Sequence, residues 1–514
     1  MRRYRALCCL LVLAMLLVAG CGGTDAEQFD VTLPQKSTGQ PRDEIVIATN
    51  QDVTSTDPQA ADEIAAARVF YLIYDRLFSI DPYTGEISPS LVKSYLQTTE
   101  TVWIFSLRDD VYFHDGSRLT AQDVKFSLER AKHSERVKAQ LSTLKEVQAL
   151  DDFTIKVVLN EPYQPFLAKL CLTGCSIVSK AAVEKDGGRF EPIGTGPYRL
   201  TEWRVGDRIL LERFERYFGG TPPTPRLVMR AIPDNQARLH ALETGEIQVA
   251  EWLDSADFEK IIENPDLKLL QVPSVTVAHI ALNVTKPPLN NVLVRRAIAH
   301  AIDKETLVRE TLLGNGRAAT TVLGPGISGY YDKMEGFPYD PQQAKKLLAQ
   351  VGYPNGFTLE LLTVQPAFDF CLPLLQQNLA DVGITLKVVP LDSTTFFKKI
   401  NAGEQMAHIG TWNNVILDPD RSVDPFYSPN FGAASNRMRY KSARVDALIE
   451  QGRSIAEPQT RAEIYRELQE IVVSECPWVP LYSTNTTVCV SRGISGFSPH
   501  PANQHNYTKI WMSR

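Results

Sequence analysis

The chain has 514 residues, of which 44% are apolar and 22% charged, and its net charge is −6. This length exceeds one ordinary hydrophobic core and predicts two or three lobes, and the composition is that of a folded globular protein. No run of basic residues occurs, so we expect no nucleic-acid partner.

The first 20 residues have the layout of a bacterial export signal. Arg2, Arg3 and Arg5 precede the apolar run at residues 7–18, which is too short to span a bilayer. Small residues then lead to Cys21, as in a lipobox, in which the cysteine is acylated. An ordinary signal peptide followed by a chance cysteine is the alternative. We predict a lipoprotein signal peptide at residues 1–20 and a lipid anchor on Cys21.

Residues 21–43 are rich in Gly, Thr, Gln, Ser, Pro and acids, a composition typical of a flexible tether. No later stretch reaches the roughly 18 consecutive apolar residues of a membrane span. We therefore expect the remainder of the chain to lie in water, close to the membrane that holds the anchor.

Strand-like and helix-like patterns alternate after the tether. Residues 44–48, 101–107, 154–159 and 385–389 have the length and the apolar or β-branched content of strands. Because helical patterns separate these strands, the sequence predicts an α/β fold.

Several helices have explicit start or stop signals. Thr120 can cap a helix with Asp123 as its capping-box partner, and Asp234 can cap the helix that follows it. Asp340 precedes a proline that suits the first helical position. Residues 463–475 run amphipathically until a proline ends the pattern. These signals fix helix positions within the α/β pattern.

Five cysteines remain after the tether: Cys171, Cys175, Cys371, Cys476 and Cys489. Exported proteins can form disulfides, and we predict two possible pairs. Cys171 and Cys175 are close enough to bridge in a loop or helix end, and Cys476 and Cys489 flank a possible hairpin. Zinc at the first pair is the alternative, but no second Cys or His pair lies near in sequence, so we predict no metal site.

The sequence offers little for catalysis. The GxGxxG pattern at residues 324–329 contains a proline and is followed by no helix, so it predicts a loop. His114 precedes Asp115, and a His–Asp pair can be catalytic; however, Asp-Gly forms turns, and no nucleophile is near. We therefore expect a structural His114, no catalytic residue and no cofactor.

The segment WIFSLRDDVYFHDGSRLTAQDVKFSLER, residues 103–130, resembles the signature of the family 5 extracellular solute-binding proteins. This family includes the oligopeptide- and dipeptide-binding proteins of bacterial ABC importers. Six further matches follow in the family's order: residues 192–198, 241–247, 295–303, 339–357, 375–384 and 478–482. The likeness runs from about Ile45 to the C-terminus.

The resemblance implies a periplasmic-binding-protein-like fold of type II, with two lobes and the ligand cleft between them. Lobe one is expected at residues 44–85, 197–282 and 480–514, and lobe two at residues 283–479. Residues 86–196 are expected to form a domain inserted in lobe one. A cleft between lobes encloses a small ligand, and a hinge lets it enter and leave.

One position departs from the family's pattern. Many peptide-binding members have an aspartate three residues after a tryptophan, and it holds the peptide's α-ammonium group. Here the tryptophan is Trp412, and Val415 takes the place of the aspartate. Either Asp418, Asp420 or Asp424 replaces that charge, or the ligand has no free amino terminus there.

The same loop supplies most of the predicted ligand-binding residues. Trp412 can stack on a ligand or belong to the core, and the next two asparagines can bind it or form a turn. Arg421 can clamp a carboxylate or lie at the surface. The full predicted set is Trp412, Asn413, Asn414, Asp418, Arg421, Asn50 at the cleft edge of lobe one and Asn283 near the hinge.

We interpret the chain as a monomeric substrate-binding lipoprotein of an ABC importer, not as an enzyme. It would capture a small solute, by preference a di- or oligopeptide, and deliver it to permease subunits that work with ATPases. A nickel chelate, haem, a sugar or an opine is the alternative ligand. An exported hydrolase and a ligand sensor that signals to a receptor are the alternative functions.

Overall fold

The computed structural model describes residues 42–61, 63–185, 190–432 and 435–513. The predicted signal peptide, Cys21 and nearly all of the predicted tether lie outside these ranges. Within them, no helix has both the length and the apolar character needed to cross a membrane.

The strands within the described ranges are β1 (Glu44–Thr49), β2 (Phe78–Ile80), β3 (Ile87–Pro89), β4 (Val92–Thr99), β5 (Val102–Leu107), β6 (Leu144–Asp151), β7 (Thr154–Leu159), β8 (Tyr198–Arg204), β9 (Arg208–Arg213), β10 (Arg226–Ala231), β11 (Val249–Glu251), β12 (Leu267–Pro273), β13 (Val277–Leu282), β14 (Gly316–Ala318), β15 (Thr358–Val364), β16 (Thr385–Leu391), β17 (Ala407–Trp412), β18 (Trp478–Ser491), β19 (Ile494–Ser495) and β20 (Trp511–Met512).

The helices are α1 (Ile64–Ile73), α2 (Ala121–His133), α3 (Phe166–Lys169), α4 (Lys180–Lys185), α5 (Asn235–Glu243), α6 (Phe258–Glu263), α7 (Val292–Ala301), α8 (Lys304–Thr311), α9 (Pro341–Gln350), α10 (Leu372–Ala380), α11 (Ser393–Ala402), α12 (Pro419–Val423), α13 (Ala443–Ser454) and α14 (Pro458–Glu475).

Three of the four predicted helix starts are confirmed. Thr120 donates to Asp123 through its hydroxyl at the start of α2, and its backbone N–H donates to the same carboxylate. The Asp234 side chain accepts from a backbone N–H of α5, and the Asp340 side chain does the same for α9. Helix α14 begins five residues earlier than predicted, because Glu457 caps it through two backbone N–H groups.

The largest sheet joins both lobes. Its strand order is β16-β15-β17-β13-β18-β11-β1-β10-β9-β8, and β12 and β14 also pair with β18. Strand β18 is 14 residues long; its first half pairs with β13, and its second half pairs with β11 and β12. One strand therefore contributes to the sheets of both lobes.

The chain passes between the lobes at two neighbouring segments, residues 274–276 and residues 483–485. The backbone N–H of Ser274 donates to the carbonyl of Thr484 at 3.0 Å. The Ser483 hydroxyl donates to the carbonyl of Thr276 at 2.5 Å. These two segments, called the crossing segments below, are where a change in lobe angle would concentrate.

The strand pairing differs in one detail from the predicted lobe boundaries. Strand β13 was expected to end lobe one, but it pairs along its whole length with β17, a strand of lobe two. The first residues of β18 pair with β13 as well. A strand made of apolar residues fits the core of either lobe, so the sequence alone could not show that β13 pairs with β17. The other domain boundaries stay predictions.

Residues 86–196 contain a separate four-stranded sheet of order β4-β5-β7-β6. Helix α2 packs on this sheet through Val124 and Leu128, which join the same apolar cluster as Phe105 and Val157. Most of this cluster comes from residues 86–196, but Leu77 and Phe78 of the preceding segment also belong to it, so the bounds of the inserted domain stay a prediction.

The carboxyl ends of the strands point toward the crossing segments in both lobes. In lobe two, β15, β16 and β17 are parallel, and Trp412 at the end of β17 lies opposite Val277, next to a crossing segment. In lobe one, β1 runs parallel to β10 and β11, and Asn50 follows β1 directly. Ligands of open α/β sheets bind beyond such carboxyl ends.

The predicted disulfides are wrong in this structure. The five described cysteines are free thiols, and all five are buried. Cys476 and Cys489 lie at opposite ends of extended β18; at about 3.3 Å per residue they are on the order of 40 Å apart, whereas a disulfide needs α-carbons within about 7 Å. Cys171 and Cys175, four residues apart in sequence, are also free thiols, and burial raises the pKa of each to about 12.

His114 has the structural role expected for it. Its Nε2 lies 3.0 Å from the carbonyl oxygen of Gly196, and its Nδ1 accepts from the N–H of Gly194 at 3.4 Å. Burial lowers the pKa of His114 to about 4, so the ring is neutral. The GxGxxG segment is a loop, as predicted, and its first glycine packs against the backbone of Val275.

Candidate functional site

A cavity of about 260 Å³ opens in lobe two over β13 and β17 and beside the carboxyl end of β15. It lies between one face of the sheet and helix α11. Aromatic and imidazole rings form much of its wall, contributed by Phe368, Phe396, Phe397, His408, Trp412 and Trp478. This position and this lining are typical of a small-molecule site.

Two histidines line the cavity as neutral rings. His279 stacks on Trp478 with the ring centroids 3.5 Å apart, and burial lowers its pKa to about 3. Burial also holds the pKa of His408 well below its usual value, and Arg437 adds to the effect. Nδ1 of His408 is buried and has no hydrogen-bond partner among the described residues.

Arg437 is the only formally charged residue among the described residues that line the cavity. Its Nε donates to the neutral amide oxygen of Asn401 at 2.9 Å, and its guanidinium carbon lies 5.4 Å from the Phe397 ring centroid. No carboxylate of the described ranges lies within salt-bridge distance of the Arg437 guanidinium group. Burial and the nearby Arg421 lower the pKa of Arg437.

Trp412 is half-buried at the edge of the cavity. Its Nε1 donates to the backbone carbonyl of Arg421 at 2.9 Å, and the Arg421 guanidinium lies 4.7 Å from its ring centroid. Trp478 is 6.3 Å away on a tilted plane. The arginine–indole contact fixes the ring orientation, and Trp412 still contributes to the cavity wall.

The two asparagines after Trp412 have different roles. Asn414 is fully buried, and its side chain donates to the carbonyl of Asp418 and to the Ser422 hydroxyl and accepts from the Ile416 N–H. It shapes the loop, as the alternative interpretation expected. Asn413 donates to the carbonyl of Ala502, in a segment predicted to belong to lobe one, at 3.4 Å.

Val415 packs against the predicted inserted domain. It joins a small apolar cluster with Ala168, Leu172 and Ile416. The position at which many peptide-binding members have an aspartate is therefore an apolar contact between lobe two and residues 86–196.

The three acids that could have replaced that aspartate are already paired with arginines. Asp418 accepts two hydrogen bonds from Arg461, both at 2.7 Å. Asp420 accepts from Nε of Arg453 at 2.5 Å, and Asp424 accepts from Nη2 of the same arginine at 3.1 Å. Since separating a buried pair leaves an uncompensated charge, these acids hold the loop together and are poor partners for a ligand ammonium.

Asp420 and Asp424 differ in their electrostatics. Burial would raise the pKa of Asp420, but the charge of Arg453 outweighs it and lowers the pKa. Burial and the neighbouring Asp420 raise the pKa of Asp424. The contact with Arg421 Nη1, at 3.5 Å, adds a second cation beside Asp424. The three carboxylates of this loop are therefore matched by three guanidinium groups, one from the loop itself and two from α13 and α14.

The two remaining predicted residues lie at different places. Asn50 is half-buried at the carboxyl end of β1, on the edge of lobe one that faces the crossing segments. Asn283 is buried at the opposite end of β13, about 20 Å from the crossing segment at 3.3 Å per residue. Its amide donates to the carbonyls of Gly403 and Gln405 at 3.1 Å. The expected position of Asn283 near the hinge is wrong, because β13 runs away from the crossing.

Sequence reasoning missed Arg437, His279 and His408. The two histidines lie inside apolar strands, and a polar residue in a buried strand is a signal that could have been noticed. Arg437 follows a buried turn and has no motif around it. No group of three or more His, Cys, Asp or Glu side chains within the described ranges could hold a metal ion.

Residues 86–433 match the family described as "Bacterial extracellular solute-binding proteins, family 5 Middle". The glutathione-binding protein GsiB of Escherichia coli (strain K12) is 30% identical over 475 residues, which cover 88% of this chain and 91% of that protein.

Two solved structures have the same fold along nearly the whole chain. HbpA2 from Haemophilus parasuis is 27% identical with a TM-score of 0.82, and the match covers 92% of this chain and 100% of that one. The periplasmic binding protein DppA from Helicobacter pylori, solved in complex with the peptide STSA, is 28% identical with a TM-score of 0.78 and coverage of 92% and 98%.

Proposed function

Because this chain belongs to the bacterial extracellular solute-binding proteins of family 5, we propose that it is the substrate-binding subunit of an ABC importer. It captures a short peptide or a peptide-like solute between its two lobes and delivers it to permease subunits that work with ATPases. Members of the family are substrate-binding proteins of transporters and not enzymes.

The observation that carries the proposal is the aromatic cavity over β13 and β17, beside the carboxyl end of β15. It lies beside the crossing segments, so a bound solute would be covered when lobe one rotates toward lobe two. Asn413 of lobe two already donates to Ala502 of lobe one, which is the kind of contact that lobe closure brings together.

A peptide ligand agrees with the names of two similar proteins, a glutathione-binding protein and a binding protein solved with a bound peptide. Val415 argues against capture of an α-ammonium group at the position usual for the family. The alternative is therefore the same transport role for a non-peptide ligand, such as an opine, a sugar, haem or a nickel chelate.

We further propose that the exported chain works as a monomer held at the cell envelope by acyl groups on Cys21. A lipid anchor would keep the binding protein close to its permease, and the tether at residues 21–43 would let it reach that partner. Mass spectrometry of the N-terminal peptide tests this part: an acylated cysteine supports it, and an unmodified Cys21 contradicts it.

The transport proposal is tested by identifying the solute that co-purifies with the full chain in mild detergent. We expect short peptides or one peptide-like compound, released on mild denaturation. Trp412→Ala should retain at least about tenfold less, since stacking in the cavity is lost, whereas Tyr339→Ala at an exposed site should retain as much as wild type.

Two results would contradict the proposal. A solute that is processed during incubation would identify an enzyme. Equal retention by Trp412→Ala and by wild type would place the ligand elsewhere.

A further inference from the structure

We propose that a second cavity of lobe two binds a dianionic phosphate group. This cavity has a volume of about 620 Å³ and shares no lining residue with the aromatic cavity described above. It is bordered by the segment after β13, by the C-terminal ends of α11 and α14, and by residues 439–441, and it is called the basic cavity below. The inference goes beyond the transport function and does not depend on it.

The first argument is the charge of the basic cavity. Four cations and one carboxylate line it: Lys286, Arg295, Arg439, Lys441 and Glu475. The Tyr440 hydroxyl donates to the Glu475 carboxylate at 2.6 Å, and the Arg295 guanidinium donates to backbone carbonyls at the C-terminal end of α14. The other three cations form no salt bridge with a carboxylate of the described ranges. The lining thus has an excess of three positive charges, which attracts an anion of more than one charge.

The second argument is that Arg439 is held in a fixed position. Its φ is +60°, which non-glycine residues seldom adopt, and its Nη2 donates to the carbonyl of Asn401 at 2.7 Å. Two glycines leave room for its guanidinium group: a Cβ at Gly403 would lie 2.6 Å from Nε, and a Cβ at Gly432 would lie 3.2 Å from Nη1. Strained residues that their surroundings hold in place are concentrated at functional sites. Less ordering is therefore needed when an anion binds.

The third argument is the chemistry of the side chains. Arginine presents a planar fork and lysine a point charge, and both bind phosphate oxygens. A phosphate monoester carries nearly two negative charges at neutral pH and three acceptor oxygens, so one group can satisfy several cations, whereas a carboxylate carries one charge.

An aromatic ring adjoins two of these cations. The guanidinium carbon of Arg439 lies 5.8 Å from the ring centroid of Phe431, and Nζ of Lys441 lies 5.0 Å from it. The ring is half-buried in the cavity wall, where it offers an apolar surface to an organic group that carries the phosphate.

The phosphate group can come from free phosphate or from an organic monoester. Isothermal titration calorimetry of the full chain in mild detergent uses four probes: phenyl phosphate, inorganic phosphate, methyl phenyl phosphate and benzoate. We expect phenyl phosphate to bind at least about tenfold more tightly than the diester and benzoate, which carry one charge each. Equal affinity for inorganic phosphate would identify free phosphate as the ligand, and weaker affinity would identify a monoester.

The variant that tests the residue is Arg439→Gln, which should weaken phenyl phosphate binding about 10- to 100-fold. A double variant, Lys286→Gln with Lys441→Gln, leaves the packing of Arg439 intact and should weaken binding about tenfold or more. Arg309→Gln removes an exposed arginine on α8 and should bind like wild type. Trp412→Ala changes the aromatic cavity and should also bind phenyl phosphate like wild type.

Thermal unfolding without ligand shows whether Arg439→Gln is folded; if it is not, the double lysine variant decides. Three results would overturn the proposal: no binding of either phosphate, equally tight binding of benzoate or the diester, and wild-type affinity in the double lysine variant. A loss of binding in Trp412→Ala would place the anion in the aromatic cavity and would overturn it as well. The transport function is tested separately by the co-purifying solute and stands in each of these cases.

Discussion

Tyr163 connects the predicted inserted domain to lobe two through a single hydroxyl group. It donates to a carboxylate oxygen of Asp420 at 2.5 Å, and Asp420 is only 1% exposed. Burial and the charge of Asp420 hold the pKa of Tyr163 well above its usual value, so the hydroxyl remains a donor. The neighbouring Gln164 donates its backbone N–H to the carbonyl of Arg453 at 2.7 Å.

Replacing this hydroxyl tests the contact. Tyr163→Phe should lower the free energy of unfolding by about 1.5–3 kcal/mol, because a hydrogen bond to a buried charged group is lost. Tyr339→Phe removes an exposed hydroxyl for which no hydrogen bond is seen and should change it by less than about 0.5 kcal/mol. Urea unfolding measures both, and equal values would show that the Tyr163 contact contributes nothing.

At the scale of elements, the short helix α12 depends on side chains and not on its own length. It has five residues, which is too few to be stable alone. Asp418 caps it by accepting from the N–H of Asp420 at 2.9 Å, and the same carboxylate binds Arg461 of α14. The cap and the ion pair together attach the loop after Trp412 to the body of lobe two.

Asp418→Asn separates these two effects. The amide oxygen can still cap α12, but Arg461 loses its charged partner at a site where both side chains are mostly buried. We expect destabilisation of about 3–5 kcal/mol. Glu467→Gln breaks an exposed pair with Arg444 and should cost no more than about 1 kcal/mol. Thermal melts of the two variants that agree within error would contradict this account.

Elements with local signals could be predicted from the sequence, and their partners could not. β7 has the predicted bounds, and α2 and α9 begin at the predicted caps, because capping and alternation are properties of a few neighbouring residues. The loop around Val415 was found through its motif. Arg437 was missed because no local pattern around it predicts a position in the cavity wall, and only the folded chain shows that position.

At the scale of the whole molecule, burial keeps several histidines neutral. The pKa values of His114, His279, His408, His500 and His505 are all lowered, in each case first by burial. In the unfolded chain these rings would titrate near pH 6.5. The unfolded state therefore binds more protons below that pH, and folding stability falls as the pH decreases.

The loss of folding stability at low pH can be measured for one of these histidines, His114. Its folded pKa is about 4, below the unfolded value, so its contribution is complete above about pH 6.5 and is lost between pH 6.5 and 4. Between pH 7 and pH 5, the wild type should lose about 2 kcal/mol more than His114→Gln. His240→Gln, at an exposed position of α5, should keep the wild-type slope. Parallel slopes for wild type and His114→Gln would refute the account.

Whole-molecule architecture was predictable only through resemblance. Composition and length indicated several lobes, but the two-lobed fold came from seven motifs in a familiar order. The assignment of β13 to the wrong lobe and the wrong disulfides share one cause. Both required knowing where residues distant in sequence meet, and β18 carries Cys489 far from Cys476 while bringing β13 beside it.

The shared strand β18 limits how such a protein can be recombined. Its residues complete the sheet of lobe two at one end and the sheet of lobe one at the other. Neither lobe has a complete sheet without β18, because cutting the gene before Trp478 removes a central strand from both. Chimeras that exchange lobe two between relatives, for example to transplant cargo preference, would have to place their junctions inside the crossing segments and carry matching halves of this strand.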